Sequence, residues 1–158
     1  MGGCPSDHCM KVIEKTVLLT HSAHQMYQLV TDVPSYPVFL PWCDAGEVLQ
    51  AHDDGVTARL GMSLAGLSHS FVTRNTQVQD QRLDMQLVEG PFSHLEGHWV
   101  FHDLGSPEEP ACRVVFKLQY DFSSAMLARV VGPVFEKIAT TLVDAFVKRA
   151  DQVYAGHD

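Results

Sequence analysis

From Arg113 the chain reads Arg-Val-Val-Phe-Lys-Leu-Gln-Tyr-Asp-Phe-Ser-Ser-Ala-Met-Leu-Ala-Arg-Val-Val-Gly-Pro133. The first half alternates: Val114, Phe116, Leu118, Tyr120 and Phe122 are apolar, with Arg113, Lys117, Gln119 and Asp121 between or beside them. A period of two predicts a strand with one buried and one wet face. At Ser123 the period changes. Leu127, Val131, Val134, Ile138, Leu142, Ala145 and Val153 recur at helical spacing, with Phe135 and Phe146 beside the stripe. Ser123 to Tyr154 therefore reads as a long amphipathic helix. Pro133 has no N–H for the carbonyl four residues back, so a kink or restart is expected at Gly132-Pro133.

Upstream of Arg113 the period of two persists. Val56 to Leu64, Leu83 to Leu87 and Leu95 to Phe101 all alternate apolar with polar or small residues. Turn signals separate the runs at Asp53-Asp54-Gly55, Ala65-Gly66, Gln79-Asp80-Gln81, Glu89-Gly90-Pro91 and Gly105-Ser106-Pro107. Short connections imply an antiparallel meander. Lys11 to Thr20 suits a first strand, and Ser22 with Gln25 makes a capping-box spacing for a helix from Ala23 to about Asp32. One curved antiparallel sheet and one long helix make a two-layer α+β domain. Such a sheet, curling around a helix, tends to leave an apolar cavity between the layers.

Between helix and sheet lies Asp32-Val-Pro-Ser-Tyr-Pro-Val-Phe-Leu-Pro-Trp-Cys43. Pro34, Pro37 and Pro41 forbid a long helix, leaving room for one helical turn around Ser35 to Phe39. Tyr36, Phe39, Leu40 and Trp42 are too apolar for a surface loop, so the segment is expected to plug the core or form the lip of the cavity.

With 158 residues, 46% hydrophobic and 19% charged, the chain has the length and composition of one globular domain over 11–155. Residues 1–10 read as a disordered or irregular tail. Its Met-Gly-Gly-Cys-Pro-Ser start matches an acylation pattern at Gly2, with Cys4 as a second acceptor; a plain tail is the simpler reading. The formal charge of −8 and eleven scattered Lys and Arg disfavour DNA or RNA as the main partner. No run approaches the ~20 apolar residues of a membrane span. These features predict a soluble protein. Cys4, Cys9, Cys43 and Cys112 form no CxxC pair, which suits reduced thiols in a cytoplasmic setting.

No catalytic set assembles. His94, His98 and His102 share one strand face, but each four-residue step spans about 13 Å, too far for one metal ion. Cys4, His8 and Cys9 lack a fourth ligand at a recognisable spacing. Glycine-rich phosphate loops and a Gly-x-Ser-x-Gly elbow are missing. Cys43 reads as a core thiol rather than a nucleophile. What remains is apolar: Tyr36, Phe39, Trp42, Phe71, Met85, Trp99, Phe116, Met126 and Phe135 are candidates to line one interior.

The ordered set Met26-Tyr27-x-Leu-Val-x-Asp-Val33, Tyr36-Pro-x-Phe-Leu-Pro-Trp-Cys43, Phe71-x-Thr-Arg-Asn75, Gly90-Pro-Phe-x-x-Leu-x-Gly-x-Trp-x-Phe101 and Phe146-x-x-Arg-Ala150 resembles the coenzyme Q-binding, START-like branch of the polyketide cyclase/dehydrase superfamily. The resemblance runs from about Val12 to Tyr154. It implies a helix-grip fold, a curved antiparallel sheet wrapped around a long C-terminal helix over a lipid-sized tunnel. It also implies one of two roles, since the family includes ubiquinone-binding proteins of respiration and RatA-type toxins that bind the large ribosomal subunit. Trp42 follows the ubiquinone-binding pattern.

The expectation is therefore a non-enzymatic carrier or chaperone for a polyisoprenoid quinone, with ubiquinone as bound ligand and no other cofactor. It would work in the cytoplasm, with transient contact at the inner membrane surface. The ring would enter beneath Tyr36, Phe39, Leu40 and Trp42. The tail would lie between Met85, Trp99 and Phe116 on the sheet and Val131, Phe135, Ile138 and Leu142 on the helix, with Phe71 also expected to touch the ligand. Ribosome association is the alternative. A cyclase-like enzyme is a third reading, which would need Asn75, Arg74, Gln86 or Tyr120 to point inward as acid/base groups.

Overall fold

The computed structural model describes residues 10–64 and 66–154. The expectations for residues 1–9, acylation at Gly2 and Cys4 and the Cys4–His8–Cys9 group included, lie outside the described residues.

Seven strands form one sheet: β1 (Lys11–Leu19), β2 (Cys43–His52), β3 (Gly55–Leu64), β4 (Leu67–Val78), β5 (Arg82–Glu89), β6 (Phe92–Asp103) and β7 (Cys112–Phe122). Their order is β1-β7-β6-β5-β4-β3-β2. Each neighbouring pair is antiparallel. The sheet is thus the expected meander, with β1 returning to the far side of β7. Alternation sets its faces: in β7, Val114, Phe116, Leu118, Tyr120 and Phe122 are buried, and the residues between them are not. Among the described residues four α-helices accompany it: α1 (Ala23–Thr31), α2 (Tyr36–Phe39), α3 (Ala125–Val130) and α4 (Gly132–Tyr154).

Local chemistry sets the helix ends. At Ser22 the capping box is complete: Gln25 N–H donates to Ser22 Oγ (3.1 Å) and Ser22 N–H to Gln25 Oε1 (2.9 Å). Ser124 caps α3 by accepting from Leu127 N–H. The expected break is a restart. α3 ends at Val130 and α4 begins at Gly132, with Pro133 in the first turn, where its missing N–H leaves no bond unmade.

That restart corrects the helical stripe. The buried face of α4 is Phe135, Ala139, Val143, Phe146 and Ala150, while Val134 and Ile138 are only part-buried. A stripe counted from Leu127 runs through the break and emerges on the flank of α4. The phase has to be counted from Gly132. Met126, expected inside, is 69% exposed on α3.

The proline segment is a short 3-10 turn (Val33–Ser35) running into α2, with Pro34 and Pro37 in their first turns. Several contacts fix it to the sheet. Cys43 N–H donates to the Leu40 carbonyl, and Ser63 N–H to the Trp42 carbonyl at 2.8 Å. The β2 backbone also passes so close that a Cβ on Gly46 would stand 2.3 Å from the Val33 carbonyl oxygen. Glycine is the residue that allows this approach.

Candidate functional site

An apolar cavity of about 80 Å3 lies between the concave face of the sheet and α4. A single buried water needs roughly 10–15 Å3 of such space. The space as it stands is smaller than the ~150 Å3 of a cavity that takes benzene, so a ring needs the walls to give and a polyisoprenoid chain needs the layers to part.

Seven of the twelve expected ligand residues meet there. Tyr36 and Trp42 come from the proline segment, Phe71 from β4, Met85 from β5, Trp99 from β6, and Phe135 and Leu142 from α4. Five do not line the cavity. Leu40, 1% exposed, plugs the core beneath the segment. Phe39 turns its ring onto Phe146, 5.3 Å between centroids, and supports Tyr36 from behind. Phe116 backs Trp99 at 4.5 Å. Val131 is buried at the α3–α4 break, and Ile138 sits on the flank that the restart turned aside. The segment is thus plug and lip at once, Leu40 serving the first role and Tyr36 and Trp42 the second.

Sequence reasoning missed Val33, Ala58, Leu60, Leu95, Gly97, Leu118, Ala139 and Phe146 as lining residues, and it weighed Asn75 only for the enzyme reading. Most stand in alternating runs, whose pattern reads as ordinary strand core. One strand's pattern says which face a residue is on, not how far along that face the layers separate.

Two lining residues are polar and deeply buried: Thr73 (5% exposed) and Asn75 (3%) of β4. Thr73 Oγ1–H donates to Asn75 Oδ1 at 2.7 Å. That bond orients the amide and leaves its Nδ2 protons without a partner among the described residues. They are a ready donor for an acceptor oxygen in an otherwise apolar chamber.

Among the described residues that line the chamber, none is set up to move protons. Tyr36 donates its hydroxyl proton to the Val30 carbonyl. Burial raises its pKa well above the ordinary tyrosine range, with Cys43 and Asp32 adding to the effect. The other residues weighed for acid/base work stand elsewhere. Arg74 pairs with Asp54. Gln86 is exposed on the outer face, and Tyr120 is packed 4.7 Å from Phe135 outside the lining. Burial also pushes up the thiols of Cys43 and Cys112, the latter to about 11, which makes both poor nucleophiles.

On β2 to β6 the outer face of the sheet carries several charges that pair with one another, while Arg113 and Lys117 of β7 have no ion pair among the described residues. Arg59 meets Glu47 and Arg74 meets Asp54. Arg82 meets Asp84 at 3.0 Å, and His98 bridges Asp84 (2.6 Å) and Glu96 (3.0 Å). His94, His98 and His102 are thus spread along the wet face. Among the described residues no group of three or more His, Cys, Asp or Glu stands close enough to hold a metal ion, and no helix is long and apolar enough to cross a membrane.

Known proteins resemble the chain at two levels. The ribosome association toxin RatA of Escherichia coli K12 is 42% identical over 146 residues, covering 92% of this chain and 90% of its own. The RatA of Pseudomonas aeruginosa PAO1 is 39% identical, covering 90% and 96%. More distantly, a mitochondrial coenzyme Q-binding protein COQ10 homolog B of Xenopus laevis is 27% identical over 87% of this chain and 57% of its own length. Among solved structures, the Zhui aromatase/cyclase of Streptomyces sp. R1128 superposes with a TM-score of 0.80 at 16% identity, covering 94% and 98%, which speaks to the fold alone. The 18 kDa protein CC1736 of Caulobacter crescentus gives 0.69 at 29% identity, covering 94% and 99%. The sequence profile of one family matches residues 19–147. With its sheet gripping a C-terminal helix over an apolar chamber, the chain belongs to the START-like family described as polyketide cyclase / dehydrase and lipid transport.

Proposed function

We propose that the chain binds an apolar ring bearing an acceptor oxygen, with a polyisoprenoid quinone such as ubiquinone as the physiological class, and that it carries this ligand without transforming it. The observation behind this reading is the Thr73–Asn75 pair, one oriented donor in a chamber walled by Tyr36, Trp42, Met85 and Trp99. The ring packs against aromatic side chains, and its carbonyl accepts from the Asn75 amide. The isoprenoid tail leaves past the proline lip, which needs Tyr36 and Trp42 to move away from α4. The lack of a proton-transfer set in the lining supports a carrier rather than a cyclase. Lipid extracted from the purified protein and analysed by mass spectrometry tests this directly. Bound quinone, or saturable uptake of added ubiquinone, is expected; neither appearing would overturn it.

Ribosome association is the second reading, supported by the names of the relatives at 39–42% identity. The charge on β2 to β6 is mostly paired, whereas Arg113 and Lys117 of β7 have no ion pair among the described residues. Lys137 and Lys148 of α4 have no ion pair among the described residues and are the place to look. Salt-sensitive co-sedimentation with large subunits, lost in Lys137→Glu/Lys148→Glu, would favour this role.

A further inference from the structure

The sheet is open, so β1 and β2 each form an edge. The two edges differ. β2 breaks its register with β3 twice, at Cys43/Ala45 and Val48/Gln50, and the proline segment packs onto it at Gly46. Bulges and a covering segment keep an edge from pairing with another chain. β1 has neither device. Its nine residues pair with β7 in one unbroken register, from Lys11 opposite Tyr120 to Leu19 opposite Cys112. Among the described residues the backbone of β1 bonds to no element but β7.

The outer face of this edge is apolar where it is most exposed. Lys15 reaches Asp144 of α4, 4.0 Å between Nζ and Oδ2, so the odd-numbered residues of β1 face the helix and the even-numbered ones face away. On that outer face Val12 is 53% exposed and Leu18 72%. An unbroken edge strand flanked by exposed apolar side chains is a template for a further strand.

We infer that β1 is the contact of a symmetric dimer, pairing antiparallel with β1 of a second copy of this chain. The strand's own sequence selects the register. With the two-fold axis at Lys15, all nine residues have an opposite: Val12 meets the partner's Leu18, Ile13 meets the partner's Val17, and Glu14 meets the partner's Thr16. Opposite residues of an antiparallel pair share a face, so apolar meets apolar on both sides of the sheet. An axis at Glu14 sets two carboxylates against each other, and an axis at Thr16 sets Glu14 against the partner's Leu18. Two lysines meet at the Lys15 axis, and each has its own Asp144 carboxylate beside it. A two-fold contact closes on itself, so assembly ends at two chains. β1 supplies no residue to the chamber wall, so the dimer is independent of what the chamber holds.

Sedimentation velocity of the full chain over a concentration series tests this, and a monomer–dimer equilibrium is expected. Val12→Lys/Leu18→Lys sets like charges opposite each other at two exposed positions and should weaken the dimer about ten-fold or more. Lys15→Thr removes the like charges at the axis and should tighten it. Val48→Lys/Leu49→Lys, at exposed positions of the other edge, should change nothing. Cross-linking reads the register. In a Cys4→Ser/Cys9→Ser background, Val12→Cys/Leu18→Cys should give a disulfide-linked dimer on mild oxidation, and neither single cysteine substitution should. A wild type that stays monomeric at every concentration, a dimer indifferent to Val12→Lys/Leu18→Lys, assemblies beyond two chains, or no cross-link overturns the inference. The proposed function stands in each case, because lipid uptake reads the chamber alone.

Discussion

Met85 occupies the space that Gly97 leaves vacant on the neighbouring strand. The two residues face each other across the β5–β6 ladder, and the methionine methyl lies 2.5 Å from where a Cβ on Gly97 would stand. Both line the chamber. Gly97→Ala must therefore push a flexible side-chain tip rather than backbone, and the open direction is the chamber. Affinity for a ring ligand should fall several-fold, with a melting temperature close to that of the wild type. A calorimetric titration beside a thermal melt separates the two. Equal affinity would mean that Met85 moves elsewhere.

Phe146 touches the lip and the sheet together, with ring centroids 5.4 Å from Tyr36, 5.3 Å from Phe39 and 5.4 Å from Trp99. It is 1% exposed. Phe146→Ala should cost about 3–5 kcal/mol in denaturant unfolding, the range for a buried phenylalanine. Saturating ring ligand should recover part of that loss, because ligand that binds only the folded state stabilises it.

Arg149 lays its guanidinium over Phe39, 5.3 Å from the ring centroid. The contact joins the end of α4 to the lip. Arg149→Leu should remove about 0.5–1 kcal/mol of local stability. Amide exchange at Leu40 and Cys43, whose N–H groups bond within the segment, should quicken more than exchange in β7.

His98 gives a pH signature. Burial works to lower its pKa, but hydrogen bonds to Asp84 and Glu96 outweigh burial and raise it above the ordinary value of 6.5. Its contribution to stability is then full below about 6.5 and is lost as the pH rises through the folded value. Asp84 has the opposite sign. Burial works to raise its pKa, and bonds from Arg82 and His98 bring it below the ordinary 3.8, so its contribution is lost as the pH falls through that lowered value. The network is complete only between these limits. An NMR titration should place the His98 midpoint above 6.5, and Glu96→Gln should bring it down.

The fold was legible because each element carries its own period. β7 alternates through Phe122, the capping box at Ser22 starts α1 where its spacing predicts, and Pro133 marks the restart of α4. The lip was legible for a related reason, as aromatic residues among three prolines have few other places to go. The rest of the site depends on relations between elements. Ala58, Leu118 and Ala139 line the chamber because five strands and a helix diverge at one level, which no single run encodes. Ile138 was misplaced because the helical phase was carried through Gly132-Pro133.

The chain has two tryptophans, and both Trp42 and Trp99 stand in the chamber wall, one on the lip and one on the sheet. Indole emission responds to what replaces water or empty space beside the ring. The intrinsic fluorescence of this protein is therefore a reading of a single compartment, undiluted by indoles elsewhere in the chain. Its two sources can be told apart by replacing either one with phenylalanine, so the lip and the floor of the chamber can be followed separately, without a label, as a ligand arrives.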